Sequence, residues 1–301
     1  MSSRTKGILA ITASAFGFAL MALFVRLCDD CGGPVNSFQK GFFRNVVALA
    51  IAAVAFYRSR ASRTTGAECG AALADARAAR TPRVRCWGLL FLRSLLGTTG
   101  IFANFYALSH ITIAEGQTLN KTAPFFTLLF AWLFLGERVT RRQLVPLLLA
   151  FAGVVLIAKP GFAGADAFPL AMGLLGGICA GGAYACVRGL RATQAVSPSF
   201  IVLFFSAFSC VAAVPFMCVR LDPMTWRQVL VLCGAGAGAA LGQFGITLAY
   251  GYAAPREIAV YDYSNILFTA ALGFAFFGQV PDAWSLLGFA AIIFAAFRMF
   301  R

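Results

Sequence analysis

The fold of this chain is decided by ALSHITIAEGQTLNKTAPFFTLLFAWLF, residues 107–134, whose pattern recurs without a gap as AYGYAAPREIAVYDYSNILFTAALGFAF, residues 249–276. The offset is 142 residues, and identical residues stand at 115 and 257, 126 and 268, 127 and 269, 134 and 276, and 136 and 278. Each stretch begins with polar residues, is then apolar over the thickness of a bilayer, and ends in a turn. An internal repeat of this size in an apolar chain indicates a membrane protein built from two related halves.

The composition also indicates a membrane protein. Of the 301 residues, 60% are hydrophobic and only 12% are charged, with a mean hydropathy of +0.81, whereas a soluble domain carries about 25% charged residues. A spanning helix needs roughly 20 apolar residues. The first such segment is predicted to be an uncleaved span, and the Arg- and Ala-rich segment 58–85 is the longest connection. Ten spans are predicted, at approximately 7–27, 35–57, 86–109, 112–135, 142–159, 168–188, 198–220, 226–252, 254–278 and 283–300.

The distribution of basic residues predicts the orientation. The net charge is +14. If the N-terminus is cytoplasmic, seventeen of the 25 Lys and Arg residues lie on the cytoplasmic side and four on the outer side. This is the positive-inside pattern, so we expect a multi-pass protein of a bacterial cytoplasmic (inner) membrane with both termini in the cytoplasm. The basic excess sets orientation and argues against nucleic-acid binding. The remaining four basic residues fall within spans: Lys40, Arg44, Arg93 and Lys121.

The number of spans per half fixes how the halves are related. Each half has five spans, which is an odd number, so the second half must be inverted relative to the first. The predicted fold is an all-α polytopic membrane protein with ten transmembrane helices in two inverted five-helix repeats, residues 1–160 and 161–301. Such repeats are related by a pseudo-two-fold axis in the membrane plane. Glu115 is then near the outer face and Glu257 near the inner face.

Two motifs carry a family resemblance. The pattern T-x-P-F-F…L-G-E-R over Thr122–Arg138, and the pattern F-F-G-Q-V-P-D over Phe276–Asp282, resemble the EamA-like branch of the drug/metabolite transporter superfamily. The resemblance implies a cavity between the halves and alternating access. Members of that family move amino acids, nucleotide-related metabolites, quaternary amines or drugs. This chain departs from the repeat at Gln279, which stands where the first half has Glu137.

The polar residues of the fourth and ninth spans are the predicted substrate site. A charge at the centre of a bilayer costs about 2.5–3.5 kcal/mol, so these side chains must face a cavity or a partner. Pro124 leaves the carbonyl of Asn120 without its helical donor. One interpretation is that this carbonyl accepts a hydrogen bond from the substrate, and the plainer one is that Pro124 only kinks its helix. Another open interpretation is that Lys121 and Asp262 simply pair and hold the halves together. The predicted site residues here are Gln117, Asn120, Lys121, Tyr261, Asp262, Tyr263 and Asn265.

The first half also carries cations that the second half lacks. Arg44 and Asn104, on the second and third spans, are predicted to line the same site. A cationic first half suits a solute with a carboxylate or phosphate, or a zwitterion. Lys40 and Arg93 also belong to these cations, and the alternative to a place in the site is that their side chains extend toward the membrane interfaces. Tyr184 and Tyr250 are further cavity candidates, because a buried tyrosine hydroxyl needs a partner.

We therefore expect a secondary transporter for an amino acid or another carboxylate-bearing or zwitterionic solute. Glu115 and Asp262 are candidates for coupling. Alternatives are a carrier of organic cations or drugs, a carrier of nucleotide-related metabolites, a channel, and a membrane-embedded transferase. No enzyme activity, cofactor or metal site is expected, although the pair Cys28 and Cys31 leaves a metal site or a disulfide open. The expected partners are a small-molecule substrate and lipid, and a monomer suffices.

Overall fold

The computed structural model describes residues 2–33, 35–65, 83–110, 119–158, 167–192, 196–219, 221–278 and 282–300. Glu115, Gln117, Gln279 and most of the 58–85 connection lie outside these ranges. The described residues are predominantly helical, with no β-strand among them. The helices are α1 Ser3–Asp30, α2 Ser37–Thr65, α3 Arg83–His110, α4 Ala123–Leu135, α5 Arg141–Ala158, α6 Ala167–Ala192, α7 Pro198–Val219, α8 Trp226–Tyr252, α9 Pro255–Ile258, α10 Ser264–Phe277 and α11 Ala283–Phe300, with a 3₁₀ helix, Ala259–Tyr263, between α9 and α10.

These helices correspond to the ten predicted spans. Seven helical stretches in the described residues are long and apolar enough to cross a membrane, and the ninth of the ten spans is the continuous stretch Pro255–Phe277. α4 and α11 are shorter apolar helices, and α5 has 18 residues. Many large apolar side chains point outward, such as Trp132, Leu133 and Phe134 in α4. The prediction of an all-α polytopic membrane protein is confirmed.

The two halves end their fourth and ninth spans in the same way. Gly136 follows α4 with φ 68°, and Gly278 follows α10 with φ 63°. A positive φ is strained for residues with a side chain, so glycine is favoured at a helix end of this kind. Because these two glycines stand 142 residues apart, the turn is part of the repeat.

Helices of one half pack against helices of the other. α1 packs along α8, and α3 along α6, which are equivalent contacts if the halves repeat; α2 packs on α7, and α5 on α11. The closest approaches occur at glycines, as small residues permit between membrane helices. A Cβ on Gly17 would lie 2.6 Å from the backbone nitrogen of Gly242. This pairing supports the division into 1–160 and 161–301, which stays a proposal.

One face of the bundle is closed more tightly than the other. The face on which α1 begins is called the N-terminal face, and the opposite one the distal face. Toward the N-terminal face α6 packs on α8, whereas α1 and α3, which hold the equivalent positions, make no comparable contact in the described residues. The structure is thus asymmetric about the centre of the bundle, with helix ends drawn together on the N-terminal face.

Candidate functional site

The fourth and ninth spans are both interrupted near their middle. A turn at Lys121 and Thr122 precedes α4, and Pro124 lies in the first turn of that helix. In the ninth span the 3₁₀ helix ends at Tyr263, where α10 begins. Lys121 and Tyr263 are 142 residues apart, so the interruption is repeated. Pro124 therefore starts a new helix instead of only kinking one, because a residue without an N–H is tolerated in a first turn.

The two interruptions touch each other. The Tyr263 hydroxyl donates to the backbone oxygen of Lys121 at 3.1 Å. Lys121 Nζ lies 3.5 Å from Asp262 Oδ2. Residues that occupy equivalent positions in two repeats can touch only next to the axis that relates them. The predicted meeting of the two spans is present, while its role in substrate binding stays a prediction.

The Lys121–Asp262 pair is loose and nearly buried. Charge-assisted hydrogen bonds are usually 2.7–2.9 Å long, and this one is 3.5 Å, with the two side chains 11% and 13% exposed. Asp262 also acts electrostatically on Tyr184 and Tyr250, whose ring centroids are 6.0 Å apart. A carboxylate held weakly by one lysine can exchange its partner for a ligand.

Three other predicted residues of the ninth span are engaged with neighbouring helices. The Tyr261 hydroxyl donates to Ala296 O of α11 at 3.0 Å, and Asn265 Nδ2 donates to Ala15 O of α1 at 2.9 Å. Tyr263 is fully buried. In this conformation these three side chains anchor the interruption of the ninth span. Asp262 is the predicted residue of this span whose charge acts on Tyr184 and Tyr250. Asn120 is half-buried in the helical turn just before the interruption.

Two arginines lie buried beside Tyr184. Arg44 is 4% exposed and Arg93 is 1% exposed. Both guanidinium groups interact electrostatically with Tyr184 and with each other. Arg44 Nε, Arg93 Nε and Arg93 Nη1 are buried without a hydrogen-bond partner. The alternative in which Arg93 reaches an interface is therefore wrong.

Arg93 is held rigidly by two neighbours. Its guanidinium stacks 3.5 Å from the ring centroid of Phe205, and its Nη2 donates to Gln243 Oε1 at 2.6 Å. Gly97 provides the space, because a Cβ there would lie 2.8 Å from the Phe205 ring and 3.3 Å from Arg93 Nη1. Gln243 and Phe205 could not be predicted as partners of Arg93, because no short-range sequence pattern connects them to it.

The remaining predicted polar residues of the first half are not part of the group formed by Arg44 and Arg93. Asn104 is 8% exposed, and its Nδ2 is buried without a hydrogen-bond partner. The Cβ atom of Asn104 packs against Gly176. Lys40 pairs with Asp29 at 2.6 Å where α1 meets α2, so it belongs to the distal end. Cys28 and Cys31 are free thiols.

The N-terminal face is closed by an ion pair that sequence analysis did not predict. Arg188 Nε donates to Glu137 Oε1 at 2.7 Å, and Arg188 Nη1 donates to Tyr250 O at 3.0 Å. This one guanidinium joins the end of α4 to α6 and α8. Glu137 is part of the L-G-E-R pattern, but Arg188 lies 51 residues away, so only the fold reveals the pair.

Comparisons with known proteins agree with this architecture. Residues 5–159 match the model of the EamA-like transporter family. The pseudopaline exporter of Pseudomonas aeruginosa is 33% identical over 214 residues, which cover 71% of this chain and 75% of that protein. The riboflavin transporter of Vibrio cholerae is 29% identical over 216 residues, or 70% of each chain. One crystal structure shares the fold, with a TM-score of 0.67, 19% identity and 95% coverage of both chains. Because the family model covers half of the chain, this protein belongs to the EamA-like transporter family and is a multi-pass membrane transporter, not an enzyme.

Proposed function

We propose that this transporter carries a small carboxylate-bearing or zwitterionic solute, such as an amino acid, across a bacterial cytoplasmic membrane by alternating access. The observation that supports the substrate class best is Arg44. Its guanidinium is buried in the bundle with an unpartnered Nε. A buried cation without a counter-charge is costly, so an anionic group on the solute would stabilise it for part of the cycle.

The opposite end of such a solute also has a partner. Asp262 is within electrostatic reach of Tyr184 and Tyr250, and aromatic faces together with a carboxylate suit an ammonium group. A zwitterion would thus bridge Arg44 and Asp262, and its ammonium would compete with Lys121 for Asp262. When the ammonium group of the solute replaces Lys121 as the partner of Asp262, the contact between the halves would loosen.

The proposal of alternating access is supported by the asymmetric closure of the bundle. The Glu137–Arg188 pair closes the N-terminal face, which the positive-inside pattern assigns to the cytoplasm. The described conformation is then the one that opens outward, and its counterpart would close the distal ends and release Arg188. Rocking of one repeat against the other around a central site is the usual scheme for such folds.

The relatives support transport and leave the solute open. One is named for pseudopaline export and another for riboflavin transport, and these names differ in solute. A carrier of organic cations is the second candidate, favoured by Asp262 and the surrounding tyrosines. Asp262 is also our candidate for proton coupling, together with Glu115.

A ligand screen tests the substrate class. Purified protein is heated with amino acids, phosphorylated metabolites, nucleosides and quaternary amines, because a ligand of the folded state raises its apparent stability. We expect stabilisation by a carboxylate-bearing solute that is lost in Arg44→Gln and retained in Arg141→Gln, an exposed arginine at the start of α5. Stabilisation by a quaternary amine alone, insensitive to Arg44→Gln, would contradict the proposal.

A further inference from the structure

The buried centre of the bundle carries more positive than negative charge. Arg44, Arg93 and Lys121 are each at most 9% exposed. Asp262 is the carboxylate that accompanies them, and it pairs with Lys121. Among the described residues, the centre therefore has two guanidinium groups whose charges are not matched.

Two ion pairs at the ends of the bundle do not alter this count among the described residues. Lys40 is neutralised by Asp29, and Arg188 by Glu137. The groups that act electrostatically on Arg44 and Arg93 are Tyr184, Cys186 and the arginines themselves, with no described carboxylate among them. Tyr184 is subject to the charges of both arginines and of Asp262.

We propose that the transported solute carries two negative charges, as two carboxylates or one phosphate group, and that Arg93 binds the second of them. This rests on the proposed function, because it specifies how many negative charges the same solute carries. Arg44 and Arg93 together leave three buried N–H-bearing nitrogens without partners, two of them on Arg93. An anion that accepts from these donors removes both the unpaired charge and the unpaired hydrogen bonds.

Arg93 is suited to discriminate between solutes because it cannot move away from a wrong one. The Phe205 ring and Gln243 fix the guanidinium, so it cannot follow a smaller or neutral group. A fixed donor that finds no acceptor is left unpaired in a dry site, which disfavours binding of that solute. Arg93 is therefore assigned as the residue that separates doubly charged solutes from singly charged ones.

The test measures binding to the full-length protein by thermal unfolding. Succinate, succinamate and succinamide are similar in size and carry two, one and no carboxylates; glutarate and inorganic phosphate vary the spacing of the charges. We expect saturable stabilisation by a dianion, with an apparent Kd about 30-fold lower than that of succinamate. Arg93→Gln should abolish this preference, so that succinate and succinamate bind with similar apparent Kd.

Controls separate a local effect from misfolding. Arg141→Gln removes an exposed arginine and should keep the preference. If Arg93→Gln does not yield folded protein, Arg93→Lys replaces it: this variant keeps a charge but not the stacked fork, and should reduce the preference. The series on the unmodified protein is informative without either variant.

Each outcome has a distinct meaning. Stabilisation by phosphate but not by succinate or glutarate places both charges on one group, and the converse places them on two carboxylates. Equal binding of succinate and succinamate, a preference that persists in Arg93→Gln, or no saturable effect of any dianion overturns the proposal. If succinamate still requires Arg44, the proposed function stands while the second charge is refuted. If tetraethylammonium alone binds, the proposed function fails as well.

Discussion

Removal of the charge on Glu137 is expected to open the N-terminal face. Glu137 receives the Arg188 Nε hydrogen bond at 2.7 Å, and the same guanidinium holds Tyr250 O. Glu137→Gln keeps the shape and an acceptor but loses the ionic part of the contact. A hydrogen bond to a charged group contributes about 1.5–3 kcal/mol. The side chains are 18% and 15% exposed, so part of this is screened by solvent and we expect a loss of about 1–2 kcal/mol. That shifts the ratio of open to closed states by about 5–30-fold.

Alkylation of Cys186 reports this shift. Cys186 is a buried native cysteine of α6 that interacts electrostatically with Arg93. In a protein whose other eight cysteines are replaced, its reaction with N-ethylmaleimide should accelerate about 5–30-fold in Glu137→Gln, if opening limits access. Asp282→Asn is the control, since Asp282 caps α11 through Ser285 at the other face. An unchanged rate, or an equal acceleration in the control, would refute the role of this pair.

Three further predictions concern orientation, the central pair and packing. Ser62→Cys should resist an impermeant thiol reagent applied to intact cells, and efficient labelling would reverse the predicted topology. Exchanging Lys121 and Asp262 should restore more transport than either single charge reversal if the pair joins the halves; a swap that folds but stays inactive would instead assign Lys121 to the solute. Gly17→Val should destabilise the protein by about 1–3 kcal/mol, because a Cβ there meets the backbone of Gly242 at 2.6 Å; an unchanged melting temperature would contradict the close α1–α8 contact.

The central contact could be predicted because it follows from the repeat. A constant offset places Lys121 opposite Tyr263, and two equivalent polar segments near an axis have to meet. The structure adds what periodicity does not encode, namely that both spans are interrupted there. Sequence alone also placed Tyr261 and Asn265 in the substrate site, whereas their hydroxyl and amide groups bond to backbone oxygens of α11 and α1 in this conformation.

The depth of Arg93 could not be predicted from its distance to the end of a span. The apolar pattern begins near residue 86, but α3 begins at Arg83, and at 1.5 Å per residue Arg93 lies about 15 Å into the helix. Its partners Phe205 and Gln243 are on helices of the other half. The Glu137–Arg188 pair was missed for the same reason, since the contact exists only when the helix ends converge.

The most direct test of the account is counterflow in proteoliposomes loaded with the carboxylate-bearing ligand from the screen. We predict that internal ligand accelerates uptake of labelled ligand, that Arg44→Gln abolishes this uptake while the protein remains folded, and that the amide analogue is transported poorly by the unmodified protein. Removal of one partner of a buried charge pair costs about 2–5 kcal/mol, so the loss should be at least about 30-fold. Undiminished counterflow of the carboxylate in Arg44→Gln, or equal transport of its amide, would contradict the central claim that a buried cation selects an anionic solute.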